Sequence, residues 1–125
     1  MCNRIIIMGR LTNDPTIRTT NSGKSVAQFT LAVDRPFQNE QGKREADFIP
    51  VVVWGKSADL IGNSCKKGHR LLVEGRLQIR NFDAKDGTKH WVTEVIASSF
   101  EFIEKKQDSF EKLGDSVPFD DTVNF

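Results

Sequence analysis

The sequence predicts a mainly all-β fold: a five-stranded β-barrel with one helix between its third and fourth strands, followed by a disordered C-terminal tail. Three observations lead there. Five segments alternate apolar and polar residues at the two-residue period of a strand. Only Ser57–Lys67 carries helical spacing. The patterned part ends at Glu104, and strands of this number and length suit a small closed barrel better than a sandwich. The chain has 125 residues, 38% of them hydrophobic, which is enough for one modest core.

Asn3–Leu11 is the first strand. Ile5 and Ile7 point one way, Ile6 and Met8 the other. A lone barrel needs only one apolar face, so the second points to burial against another copy of the chain. Gly9 marks a bulge or a close approach of backbones. Asn21-Ser22-Gly23 is a turn, after which Ser25–Asp34 alternates: Ala27, Phe29, Leu31 and Val33 on one face, Gln28 and Thr30 on the other. Residues 38–45 form a polar hairpin loop. Ala46–Trp54 follows, with Ile49, Val51 and Val53 opposite Phe48, Pro50, Val52 and Trp54. Pro50 lacks an N–H, so that side of the strand faces an edge or a bulge.

Ser57 is the expected N-cap of the helix, Asp59 suits its first turn, and Gly68 follows its end. Ala58, Ile61 and Cys65 make its core stripe. His69–Phe82 is the fourth strand, with Leu71, Val73, Gly75, Leu77 and Ile79 expected inward, and Arg76, Gln78, Arg80 and Phe82 outward. Asp86-Gly87 turns the chain into Trp91–Phe102, where Trp91, Thr93 and Val95 oppose Val92, Glu94 and Ile96. Three strands, a helix and two strands is the order of the oligonucleotide-binding fold.

Residues 1–104 therefore form the expected domain and residues 105–125 the tail, which has no strand alternation and contains Gly and Pro. The net charge of +1 hides a split: three lysines and five acids give the tail −2, leaving +3 on residues 1–104. So small a net charge excludes binding by bulk polycation attraction. No apolar run approaches the roughly 18 residues of a membrane helix. The cysteines, Cys2 and Cys65, form no CxxC pair, which argues against a disulfide framework or a zinc ribbon and for a reducing, cytoplasmic setting.

Enzymatic chemistry is not expected. The sequence has no phosphate loop and no nucleophile elbow, and the histidines, His69 and His90, stand at strand starts as ordinary surface residues. No cofactor, metal or catalytic residue is implied. The informative residues lie on the outward strand faces. Phe48 and Trp54 share one parity; Phe82 shares another with Arg76, Gln78 and Arg80; Phe37 follows Arg35 closely. Large rings among arginines serve a core poorly but suit single-stranded nucleic acid: a ring stacks on any base, and neighbouring cations neutralise phosphates. Arg18, Lys43, Arg44, Lys56 and Lys67 are further candidates for the second role. Each ring has a plainer alternative as a core or subunit-interface residue. That alternative is preferred for Phe29, Phe100 and Phe102, and Trp91 fits either.

An ordered set of segments resembles the bacterial-type single-stranded DNA-binding proteins: NRIIIMGRLTNDP (3–15), SVAQFTLAV (25–33), ADFIPVVVWGK (46–56), KKGHRLLVEGRL (66–77) and WVTEV (91–95). The resemblance implies an oligonucleotide-binding barrel that forms a homotetramer, binds single-stranded DNA without sequence preference in replication, recombination and repair, and catalyses nothing. Its base-stacking positions fall on Phe37, Phe48, Trp54 and Phe82, with Phe at three positions that are commonly Trp. Arg18, Lys56, Lys67, Arg76 and Arg80 fall in its backbone-contacting regions. The family's acidic tip, which binds partner proteins, corresponds to Asp120, Asp121, Val123, Asn124 and Phe125, with Asn124 in place of the usual Pro. A ring entering an apolar pocket while acids meet basic residues is the physical logic of such a tip. The short linker matches short paralogues and phage- or plasmid-encoded versions. Two other functions remain open on the residues alone: an RNA-binding barrel of the same fold, and an adaptor acting mainly through its tail.

Overall fold

The computed structural model describes residues 1–103. They form β1 (Ile5–Leu11), β2 (Thr16–Thr19), β3 (Ser25–Gln38), β4 (Arg44–Trp54), α1 (Lys56–Ser64), β5 (Arg70–Asp83) and β6 (Lys89–Phe102). The expected tail lies outside the described residues, as does the tip at 120–125.

The sheet runs β1-β5-β6-β4-β3-β2, and β1 also pairs with β3 through Arg10↔Ala32 and Leu11↔Leu31. That second pairing closes β1, β5, β6, β4 and β3 into a five-stranded barrel, with β2 flanking β3. One helix separates β4 from β5. This is the oligonucleotide-binding architecture. The closing pair β4–β6 is parallel and short, Val51↔Val95 and Val52↔Ile96, and Pro50 precedes it by one residue. The missing N–H of Pro50 thus falls where the β4–β6 ladder has not yet begun.

The core follows strand parity. Ala27, Phe29 and Leu31 from β3, Val51 and Val53 from β4, Leu71 and Val73 from β5 and Val95 from β6 meet inside, capped by Ala58, Ile61 and Cys65. Phe100 and Phe102 pack against this cluster and touch edge to face at 5.4 Å. Val95 and these two rings have opposite parity on β6. They reach one core because the register slips: Glu74 pairs with Ser99 but Gly75 with Ala97, which leaves Ser98 unpaired. The Ser98 hydroxyl donates to the Glu74 carbonyl at 3.0 Å. At the slip, a side chain on Gly75 would collide with the Ile96 carbonyl, and one on Gly9 with the Ala32 carbonyl. Both glycines allow backbones to approach closely.

Four details differ from the sequence reading. The four-residue β2 was not expected; all its residues are exposed, so no alternation announces it. The helix begins at Lys56 on an N-cap of Gly55 at φ 76°, with no side-chain cap, so Ser57 is inside the first turn. It ends at Ser64, because Cys65 is already extended while still bonding the Ile61 carbonyl. Leu77 and Ile79 were expected inward but are exposed. Past Gly75, β5 has lost its β1 partner, past Leu77 it runs on with β6 alone as a two-stranded arm, and no described element covers its odd face. A second arm is formed by the ends of β3 and β4 beyond Asp34↔Ala46. Among the described residues no helix is long and apolar enough to cross a membrane.

Candidate nucleic-acid interface

Residues paired across a sheet share a face, so the register assembles the outer surface residue by residue. On β4 the outward residues are Phe48, Pro50, Val52 and Trp54. Their β3 partners are Ala32, Thr30, Gln28 and Val26, and β2 adds Arg18 opposite Val26. On the other side Val52 meets Ile96, and β6 continues outward through Glu94, Val92 and His90. Their β5 partners are Arg76, Gln78, Arg80 and Phe82. One continuous face therefore carries Arg18, Phe48, Trp54, Arg76, Arg80 and Phe82, drawn from β2, β4 and β5.

The three rings on this face are exposed, Phe48 by 67% and Trp54 and Phe82 by 47% and 44%. Phe82 stacks on His90 with centroids 5.6 Å apart and planes at 23°. The His90 Nε2 in turn lies 2.8 Å from the Thr88 hydroxyl. One side of Phe82 is thus backed by protein. Phe37 is still more exposed, but it falls in the irregular stretch between Asp34 and Gln38 where the β3–β4 register slips. It belongs to the arm rather than to the continuous face. Arg35 fixes that arm by a two-pronged contact with Asp47, Nη2 to Oδ1 at 2.8 Å and Nε to Oδ1 at 3.1 Å, and reaches Glu45 at 3.4 Å. The hydrogen bond and charge of Arg35 hold the Asp47 carboxyl below the usual carboxylate range.

A cavity of about 490 Å³ opens on the face, lined among others by Trp54, Arg18, Gln28, Gln78, Arg80 and Glu94. The polar side chains in and beside it are connected. Arg18 Nη2 donates to Gln28 Oε1 at 2.8 Å. Arg76 Nη1 donates to Gln78 Oε1 at 3.1 Å, and Gln78 Nε2 donates to Glu94 Oε2 at 3.1 Å. Arg80 Nε meets that same carboxylate oxygen at 3.0 Å. Glu94 is only 4% exposed and is the one buried charged residue among those described.

The remaining candidates are dispersed. Lys43 stands in the turn between β3 and β4, its N–H held by Asn39 Oδ1, and Arg44 opens β4. Lys56 opens α1 two residues beyond Trp54. Lys67 lies past the helix, where its N–H donates to Asp14 Oδ1 at 2.8 Å. None of these four lines the cavity shared with Trp54. Trp91 is exposed on the opposite side of the β5–β6 arm, the side of Ile79 and Asn81, away from Phe82. Sequence reasoning put Glu94, Gln78 and His90 on their strands without giving them a role. A lone acid among Trp, Val and Thr in WVTEV was the available signal for Glu94.

A family model described as the single-strand binding protein family matches residues 2–103. The chain belongs to this family. Among its relatives, single-stranded DNA-binding protein 3 of Listeria innocua is 52% identical over 107 residues, covering 86% of this chain and 67% of that protein. The single-stranded DNA-binding protein of Bacillus cereus is 51% identical over 114 residues, covering 91% and 67%. Single-stranded DNA-binding protein 1 of Staphylococcus aureus is 54% identical over 106 residues, covering 85% and 68%. The chain thus spans about two thirds of the length of these family members. The matched region coincides with the barrel and both arms.

Proposed function

We propose that this protein binds single-stranded DNA without sequence preference and protects it during replication, recombination and repair. The observation that carries the reading is the continuous outer face, which exposes Phe48, Trp54 and Phe82 among arginines instead of burying them. Exposed rings of this size lose their hydrophobic gain unless something covers them, and an unpaired base covers a ring whatever its identity. Phe37 extends the row onto the β3–β4 arm. Arg18, Lys43, Arg44, Lys56, Lys67 and Arg76 neutralise the backbone. The names and family of its relatives support the same ligand.

The protein acts as a homotetramer in the cytoplasm of a bacterium. Ile6 and Met8 on the outer side of β1 are exposed in the single chain and supply an apolar surface for a second copy. The tip at Asp120, Asp121, Val123, Asn124 and Phe125 recruits proteins of DNA metabolism.

Titration with poly(dT), followed by quenching of Trp fluorescence, tests the ligand. Tight, salt-sensitive binding and much weaker binding to duplex DNA are expected, because stacking within a duplex hides the base faces. Equal affinity for duplex and single strand would sink the proposal.

A further inference from the structure

The proposed reading leaves a buried carboxylate under the binding face without a task. Glu94 does not hold the core together: Val95 beside it and Leu71 on β5 belong to the core on the inner face. It lies instead on the outer face, in the lining of the cavity shared with Trp54, and spends one oxygen on Arg80 Nε and Gln78 Nε2 together. A buried carboxylate is costly unless paired, so this pairing with Arg80 is strongly held.

Two consequences follow for Arg80. Its charge is cancelled at close range by a group screened from solvent, so a phosphate approaching it gains little and meets Glu94 as a like charge. Its orientation is also fixed. The bond to Glu94 uses Nε, and among the described residues the terminal Nη1 and Nη2 make no hydrogen bond. They remain as a donor fork on Arg80, which lines the cavity shared with Trp54. Every base carries a ring nitrogen or carbonyl oxygen that such a fork can reach.

We propose that Glu94 is a positioning residue that converts Arg80 from a phosphate contact into a donor to the edge of the base stacked on Trp54. This rests on the single-stranded DNA reading above and deepens it: the face contains a row of cations that meet phosphates and one neutralised arginine that meets bases. Arg76 is the internal contrast: among the described residues its side chain bonds only the neutral amide of Gln78, with no acid cancelling its charge.

The test separates bases from phosphates. Binding of a dT oligomer and of an equally long abasic strand is measured across a salt series for the wild type, the double variant Arg80→Ala/Glu94→Gln, Arg76→Ala and Glu94→Gln. Each phosphate contact adds about 0.7 to the slope of log affinity against log salt for single strands. The double variant Arg80→Ala/Glu94→Gln removes the pair without uncovering the Glu94 charge, and is expected to weaken dT binding about tenfold, the size of a lost charge-assisted hydrogen bond, with the slope and abasic binding unchanged. Arg76→Ala flattens the slope by about 0.7 on both strands. Glu94→Gln keeps both hydrogen bonds through its amide oxygen, so the fold persists, but it uncovers the Arg80 charge and steepens the slope by about 0.7. The proposal is overturned if Arg80→Ala/Glu94→Gln flattens the slope and weakens abasic binding as Arg76→Ala does, or if a folded Glu94→Gln leaves the slope unchanged. If Glu94→Gln alone does not fold, the double variant decides. A wild type that fails to bind the dT oligomer refutes the parent reading instead, and is told apart from these outcomes at the first titration.

Discussion

Phe29 and Phe48 lie on neighbouring strands of one barrel, yet the first is 3% exposed and the second 67%. Phe29 pairs with Val51 on the inward face; Phe48 pairs with Ala32 on the outward one. The residue type is the same, and parity alone separates a core residue from a surface ring. The inner face is sealed by α1 and by the register slip at Ser98, which brings Val95, Phe100 and Phe102 together. Nothing among the described elements covers the outer face. The two faces therefore obey different rules: loss of a ring inside costs fold stability, loss of a ring outside costs binding.

Phe29→Ala should break this contrast most severely. Truncation of a buried phenylalanine leaves a cavity and costs about 3–5 kcal/mol of stability. Thermal or denaturant unfolding without DNA reads it directly. A loss below about 1 kcal/mol would mean that the inner face repacks freely, against the close packing expected of such a core.

Trp54→Ala is the mirror case. It should leave unfolding far less affected than Phe29→Ala does, while poly(dT) affinity falls by about 1–3 kcal/mol for the lost stack. The reverse ranking, with a large stability loss and intact binding, would return Trp54 to a structural role and remove the centre of the proposed face.

Much of this division was legible in the sequence, for a physical reason. A strand's two-residue period assigns side chains to faces without knowledge of the partner strands, so Phe29, Val51, Val53, Phe48 and Trp54 all fell on the side expected. Parity fails where a strand loses a neighbour. Leu77 and Ile79 keep the inward parity of Val73, but past Gly75 their strand no longer pairs with β1, so they are exposed. The Ser98 slip is equally invisible to alternation, because it depends on which residues the neighbouring strand offers. Short β2 has no apolar face to read. Glu94 was hidden for a similar reason: its importance comes from Arg80 and Gln78 across the ladder and from the depth of the cavity, none of which is local to WVTEV.

The smallest effect sharpens a second contrast, between the two arms. The β5–β6 arm is held by an unbroken ladder from Gly75↔Ala97 to Asp83↔Lys89. The β3–β4 arm has an irregular register and depends on Arg35 bridging Asp47 and Glu45. Asp47 has its carboxyl pKa lowered, first by the Arg35 hydrogen bond. A lowered folded pKa means the folded state favours the ionised form. The stabilisation is therefore present above the unfolded value of about 3.9 and is lost as pH falls through the lower folded value. Amide exchange in residues 34–46 should accelerate over that acid window relative to residues 76–93. Asp47→Asn should show the faster exchange already at neutral pH and lose this acid step. Because the pair is exposed, salt should weaken it as acid does. Equal acid responses of the two arms in the wild type would show that the ladder, and not Arg35, holds Phe37 in place.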